Sequence, residues 1–222
     1  MIEKMPTMDC DISIRVTFPE DITAVLRKEK ERFVTQYGSS YKSEPHITLY
    51  LDHYTEEGYP ELLSDLRSGL RIKPLSITLL PPKVRPETHR HRNLYIMDVS
   101  NKERLDELQK NVEAFAIPYQ SPLVSEKKRL RLERQGIATD GTRESLKAHP
   151  ELAAQEKFDP HITLGEIDFD KPRADIETSK ENLAAIMGKD ILISGVSVFF
   201  YGKKEGDEKA KLIEEINIPF IQ

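Results

Sequence analysis

The chain has 222 residues, one cysteine and a formal net charge of −5, with 38% hydrophobic and 32% charged residues. That length buries a core without help from disulfides or metals, and the lone Cys10 rules out an internal disulfide or a cysteine-rich zinc site. The acidic balance excludes a dedicated duplex-DNA binder, which is ordinarily basic. In chain order, a strand is predicted over 12–18. An amphipathic helix follows over 21–37, with Ile22, Val25, Leu26 and Phe33 near a helical repeat and Gly38 to end it. A short strand surrounds residues 45–49. A second helix over 61–70 places Leu62, Leu63, Leu66 and Leu70 on one stripe, and a strand over 75–80 follows Pro74. Residues 81–92 hold three prolines and read as a linker. The second part repeats this order: strand 94–99, helix 102–115, a charged, partly helical insertion over 121–158, a strand at 160–164, helix 176–187 and strand 191–201. An exposed turn over 202–209 and a last strand over 211–218 complete it. The N-terminal MIEKMPTMDCDIS carries no apolar signal region. The most apolar stretch, 191–201, is too short to span a bilayer. These features predict a cytoplasmic protein of a reducing compartment.

The string PHITL occurs twice, at 45–49 and at 160–164, so that 115 positions (161 − 46) separate His46 from His161. Strand side chains alternate faces. His46 and Thr48 therefore share one face, as do His161 and Thr163, while Ile47, Leu49, Ile162 and Leu164 take the other. Pro45 and Pro160 suit strand starts. They push Glu44 and Asp159 into extended conformations on the histidine face, where their carboxylates either orient the imidazoles or stay in solvent. A lone histidine on a half-buried strand is ordinarily structural. Two identical strings at matching positions are not, because duplication without function would not preserve the polar face. Two imidazoles and two hydroxyls suit phosphodiester cleavage. A neutral imidazole takes a proton from the attacking hydroxyl, a protonated one gives a proton to the leaving oxygen, and the hydroxyls hold the non-bridging oxygens. That chemistry requires no cofactor.

At these residues the sequence resembles the two-histidine (2H) phosphoesterase superfamily, whose signature is a duplicated His-x-Thr/Ser-x. The resemblance implies an α+β, bilobal, pseudo-twofold fold. Two small antiparallel sheets would face a central cleft, with helices on their outer faces. The chain would be one domain over 1–222, with lobe one over 1–82 and lobe two over 93–222. The resemblance makes His46 and His161 the acid–base pair and Thr48 and Thr163 the phosphate-binding pair, without a metal. It implies a metal-independent phosphodiesterase acting on 2′,3′-cyclic phosphate or related RNA-derived phosphodiesters. The alternatives are a 2′–5′ RNA ligase or hydrolase, or a non-catalytic nucleotide binder using the same cleft. The implied partner is a nucleotide or RNA end, not duplex DNA or a membrane.

Further substrate-binding candidates lie around the motifs. Tyr50 follows the first motif where Gly165 follows the second, and on a regular strand it shares a face with Thr48, ready to stack on a base. Tyr201 ends a long strand. Positive charge concentrates at Lys83, Arg85, Arg90 and Arg92 in the linker and at Lys127, Lys128, Arg129, Arg131 and Arg134 in the insertion. Of these, Arg92 and Arg129 are the expected contacts to an RNA strand, with a solvated face as the alternative. His89 and His91 lack a third metal ligand.

Overall fold

The structure, a computed structural model, describes residues 9–41, 43–55, 58–122, 142, 144, 158–202 and 211–220. Most of the predicted 121–158 insertion, including Arg129, lies outside them.

Among the described residues, eight strands and four helices follow one another as β1 (Asp9–Val16), α1 (Glu20–Tyr37), β2 (Ile47–Thr55), α2 (Gly58–Gly69), β3 (Leu75–Glu87), β4 (Arg92–Val99), α3 (Lys102–Ala116), β5 (His161–Asp168), α4 (Ile176–Leu183), β6 (Asp190–Ile193), β7 (Gly195–Gly202) and β8 (Lys211–Pro219). The strands form one antiparallel sheet in the order β6-β3-β4-β5-β2-β1-β7-β8. Its two four-stranded halves meet between β5 and β2 through a single pair, Ile47 with Ile162. The four described helices lie on the face carrying those isoleucines, α1 against β5, α3 and α2 against β2, and α4 against β3.

Alternation in β1 explains the layering. Ile12, Ile14 and Val16 are fully buried toward the helices, while Ser13 and Arg15 take the other face. Along α1, Ile22, Leu26 and Phe33 turn inward. Gly38 ends the helix at φ 65°, a left-handed conformation cheap only for glycine, and its amide donates to Val34 O at 3.2 Å.

The expected lobe boundaries at 82 and 93 are not the boundaries of the half-sheets. β3, from the first part of the chain, pairs with β4, and β7, from the last part, pairs with β1. One half-sheet is therefore β2-β1-β7-β8 with α2 and α3. The other is β5-β4-β3-β6 with α1 and α4. The first part of the chain thus lends β3 and α1 to the other half, and the second part lends α3 with β7 and β8 in return.

Two predicted segments read differently in the structure. The proline-rich 81–92 is no linker: β3 continues through Pro81, Pro82 and Pro86 to Glu87 and pairs with β4 down to Glu87–Arg92. Prolines are tolerated there because β6 covers only Leu75–Thr78, and a register shift between Leu79 and Pro82 absorbs the first of them. The predicted strand 191–201 is two strands on opposite halves of the sheet, broken at Ser194. Gly195 approaches β8 so closely that a Cβ would stand 2.6 Å from Ile218 O.

Candidate active site

Ile47 stands opposite Ile162, and the antiparallel register this sets puts His46 across from Thr163 and Thr48 across from His161. The four motif residues thus share the sheet face opposite the described helices, at the seam between its halves. The two imidazoles are anchored alike. His46 Nδ1 donates to Glu44 O at 2.7 Å, and His161 Nδ1 donates to Asp159 O at 2.6 Å. A carbonyl can only accept, so each Nδ1 carries the hydrogen and each Nε2 the lone pair. The backbone carbonyls of Glu44 and Asp159 therefore orient the rings, in place of the carboxylates considered from sequence. The Glu44 carboxylate accepts from Arg27 at 3.1 Å, and that of Asp159 from Arg85 at 2.6 Å and Lys102 at 3.2 Å.

The two histidines differ in surroundings. His46 is 7% exposed, and this burial, with Arg15 nearby, pushes its pKa down to about 3 against the opposing pull of the Glu44 carbonyl. Burial also lowers His161. There the Asp159 carbonyl pulls the other way, Arg85 adds to the lowering, and the Asp159 and Asp98 carboxylates counter it. Asp98 is the ladder partner of His161. One of its oxygens accepts from Lys83, and the other has no hydrogen-bond partner among the described residues. In the free protein both imidazoles are neutral near pH 7, and His161 is the one flanked by carboxylates that favour a proton.

Thr48 is exposed beside Arg15, its partner on β1, and Thr163 is half-buried beside Ile96 on β4. Arg15 lies over the Phe199 ring at 4.3 Å and donates to Ser13 Oγ at 2.7 Å and to Tyr201 OH at 2.9 Å. Tyr201 thus reaches the site through Arg15. Behind the seam, buried Lys30 on α1 donates to Thr163 O at 2.9 Å and lies 4.0 Å from the Tyr41 ring centre. Burial lowers it to about 7, with Glu44 and Glu166 opposing.

Two expectations from sequence are corrected here. Tyr50 does not share the face of Thr48. The β1–β2 register shifts at Leu49, so that Tyr50 pairs with Ile14 on the helix side, where it meets Asp52 and Gln120. Arg92 sits at the far end of β4, six residues from the partner of His161, hence about 20 Å along the strand. It is tied to Glu87 and Glu166. The side chains of His53 and His89 lie outside the described set, and His91 is exposed beside Phe169.

The chain superposes on TT0787 of Thermus thermophilus with a TM-score of 0.54 at 15% identity, over 96% of this chain and 100% of that one. Against E. coli LigT complexed with phosphate the TM-score is 0.50 at 11% identity, over 96% and 99%. A solved phosphoesterase gives 0.50 at 12% identity, over the same 96% and 99%. The chain therefore shares its fold with these three proteins. No protein-family model and no curated protein sequence matches the chain.

Arg15 and Lys30, which sequence reasoning missed, flank the motifs, as does Arg85, which it places only in a basic rim for RNA. Arg15 had a usable signal, since strand alternation in 12–18 places it with Ser13 on the polar face. Lys30 had none, because a lysine on a helix is ordinarily solvated. Arg85 counts among the basic residues of 81–92, and the reading of that segment as a linker hid only its contact with His161.

Proposed function

We propose that the chain is a phosphodiesterase that cleaves 2′,3′-cyclic phosphate ends or related RNA-derived phosphodiesters with His46 as base and His161 as acid. The observation that carries this reading is the matched anchoring of the two imidazoles. Each Nδ1 is committed to a backbone carbonyl two residues upstream, so proton transfer falls to Nε2, which in His161 accepts from Arg85 in the free protein. As a water oxygen bonds to phosphorus, its proton passes to His46 Nε2. The bond from phosphorus to one ribose oxygen breaks, and His161 Nε2 protonates that oxygen, leaving a phosphomonoester. Thr48 and Thr163 donate to the non-bridging oxygens, whose charge persists through the transition state. The deep desolvation of His46 supports a neutral base, and Asp98 and Asp159 support a protonated His161. The phosphate complex of the structurally similar E. coli LigT and its complex with NADP+ support a phosphate-bearing nucleotide as the ligand class.

Single His46→Ala and His161→Ala variants are expected to fold and to lose about 10²–10⁴-fold in turnover of a 2′,3′-cyclic nucleotide. Activity should survive EDTA, because both proton-transfer roles are filled by side chains. Wild-type turnover in both variants would overturn the reading. Nucleotide-stabilised melting with no hydrolysis of any cyclic or 2′–5′ substrate would make the chain a binder instead.

A further inference from the structure

Arg85 stands where neither the repeat nor the proton chemistry above requires a cation. Its Nη1 donates to Asp159 Oδ2 at 2.6 Å and its Nη2 to His161 Nε2 at 3.2 Å. In the free protein the guanidinium therefore occupies the one nitrogen through which His161 could pass a proton to a substrate. The other charged groups around this imidazole are Lys83 on β3, Asp98 on β4, Asp159 just before β5, Lys102 on α3 and His46 across the seam. Lys83 is held by Asp98 and Lys102 by Asp159. Arg85 is the cation in direct contact with the ring.

We propose that Arg85 is a substrate-binding residue that changes partners, leaving His161 Nε2 for a non-bridging oxygen of the incoming phosphate while Asp159 keeps its Nη1. The inference rests on the two-imidazole reading and deepens it by adding a fifth residue to the phosphate site. A guanidinium bonds more strongly to an anionic phosphate oxygen than to a neutral imidazole, because the first bond is charge-assisted on both sides. The planar fork suits this exchange, since one edge stays anchored while the other changes acceptor. His161 then loses a cation at its lone pair and gains an anion beside it, and both changes favour the imidazolium. The proton comes from solvent, and no covalent bond of the protein changes. Phosphate binding thereby prepares the acid, which is neutral at pH 7 when the site is empty.

The test follows the His161 imidazole by NMR in wild type, Arg85→Met and Arg85→Lys, across pH and with inorganic phosphate as the probe. In wild type, phosphate should raise the His161 titration midpoint. In phosphate-free Arg85→Met the midpoint should already lie above that of wild type, and phosphate should bind about 10- to 100-fold more weakly. Arg85→Lys should recover part of the affinity. The inference is overturned if Arg85→Met binds phosphate as wild type does, if its free midpoint is unchanged, or if phosphate does not reach His161 in wild type. Hydrolysis assays separate the two proposals. Loss of turnover in His161→Ala with wild-type kcat/KM in Arg85→Met removes Arg85 and leaves the two-imidazole reading. Arg85-dependent phosphate binding in a protein that hydrolyses no cyclic or 2′–5′ phosphodiester supports the role of Arg85 and removes that reading.

Discussion

At the scale of single residues, the two histidines carry the same hydrogen bonds but different fields, and this fixes the expected pH dependence. kcat/KM reports the free protein, in which the proposed roles require His46 neutral and His161 protonated. His46 meets its condition at any pH above about 3. His161 meets its own only below a midpoint that burial and Arg85 hold under the ordinary 6.5. As pH rises from 5 to 8, kcat/KM should therefore fall, its alkaline limb centred below 6.5. The limb of kcat should lie at higher pH, because bound phosphate stabilises the imidazolium. Steady-state kinetics on a 2′,3′-cyclic nucleotide check this, and a kcat/KM limb centred above 6.5 would refute it. The motif residues were legible because an exact repeat is visible without any structure. Their asymmetry was not legible: alternation put Arg15 on the polar face, but which motif it would meet, and the approach of Arg85 and Asp98, depend on strand pairing, which leaves no local trace in the sequence.

At the scale of elements, the residue after each motif's Leu shows how a repeat diverges. Tyr50 turns to the helix side at an irregularity in β2, and its counterpart Gly165 also lies on that side, where α1 presses onto β5. A Cβ at Gly165 would stand 2.5 Å from Phe33 Cδ1 and 2.8 Å from Phe33 Cβ. Phe33 is fully buried, 4.9 Å from the Tyr95 ring centre, and has no free direction in which to yield. Gly165→Ala should cost about 1–3 kcal/mol through overpacking, a fall in Tm of roughly 3–10 °C. Thermal unfolding followed by circular dichroism tests this, and an unchanged Tm would show that α1 shifts freely on β5. Element type was largely readable from periodicity, as in α1, α2, α3 and β4. What failed were two judgements that depend on neighbours. Prolines read as a linker where a half-open strand edge accommodates them, and one apolar run read as a single strand where the chain changes sides of the sheet at Ser194.

At the scale of the whole molecule, the exchange of strands and helices makes the two parts of the chain interdependent. A fragment of residues 1–90 keeps β1 without β7, β3 without β4, and α1 without the strand it covers. It should be unfolded by circular dichroism, as should 91–222. Mixing the two should restore a cooperative transition, because the cut falls in the turn between β3 and β4. Independent cooperative unfolding of either fragment would refute this. Hydrophobic periodicity could not anticipate the exchange, since it says which side chains are buried but not which strand lies alongside.

The same exchange bears on ancestry. A half-length forebear with the order strand, helix, motif strand, helix, strand could not complete its sheet alone. It could do so against a second copy of itself, swapping the third strand and first helix across a twofold axis. Such a dimer would present two identical histidines at its symmetry axis, each obliged to serve as either base or acid. Joining the copies end to end would free each site to diverge, and in this chain one imidazole has Arg15 and Lys30 as its charged neighbours and the other Arg85, Asp98 and Asp159.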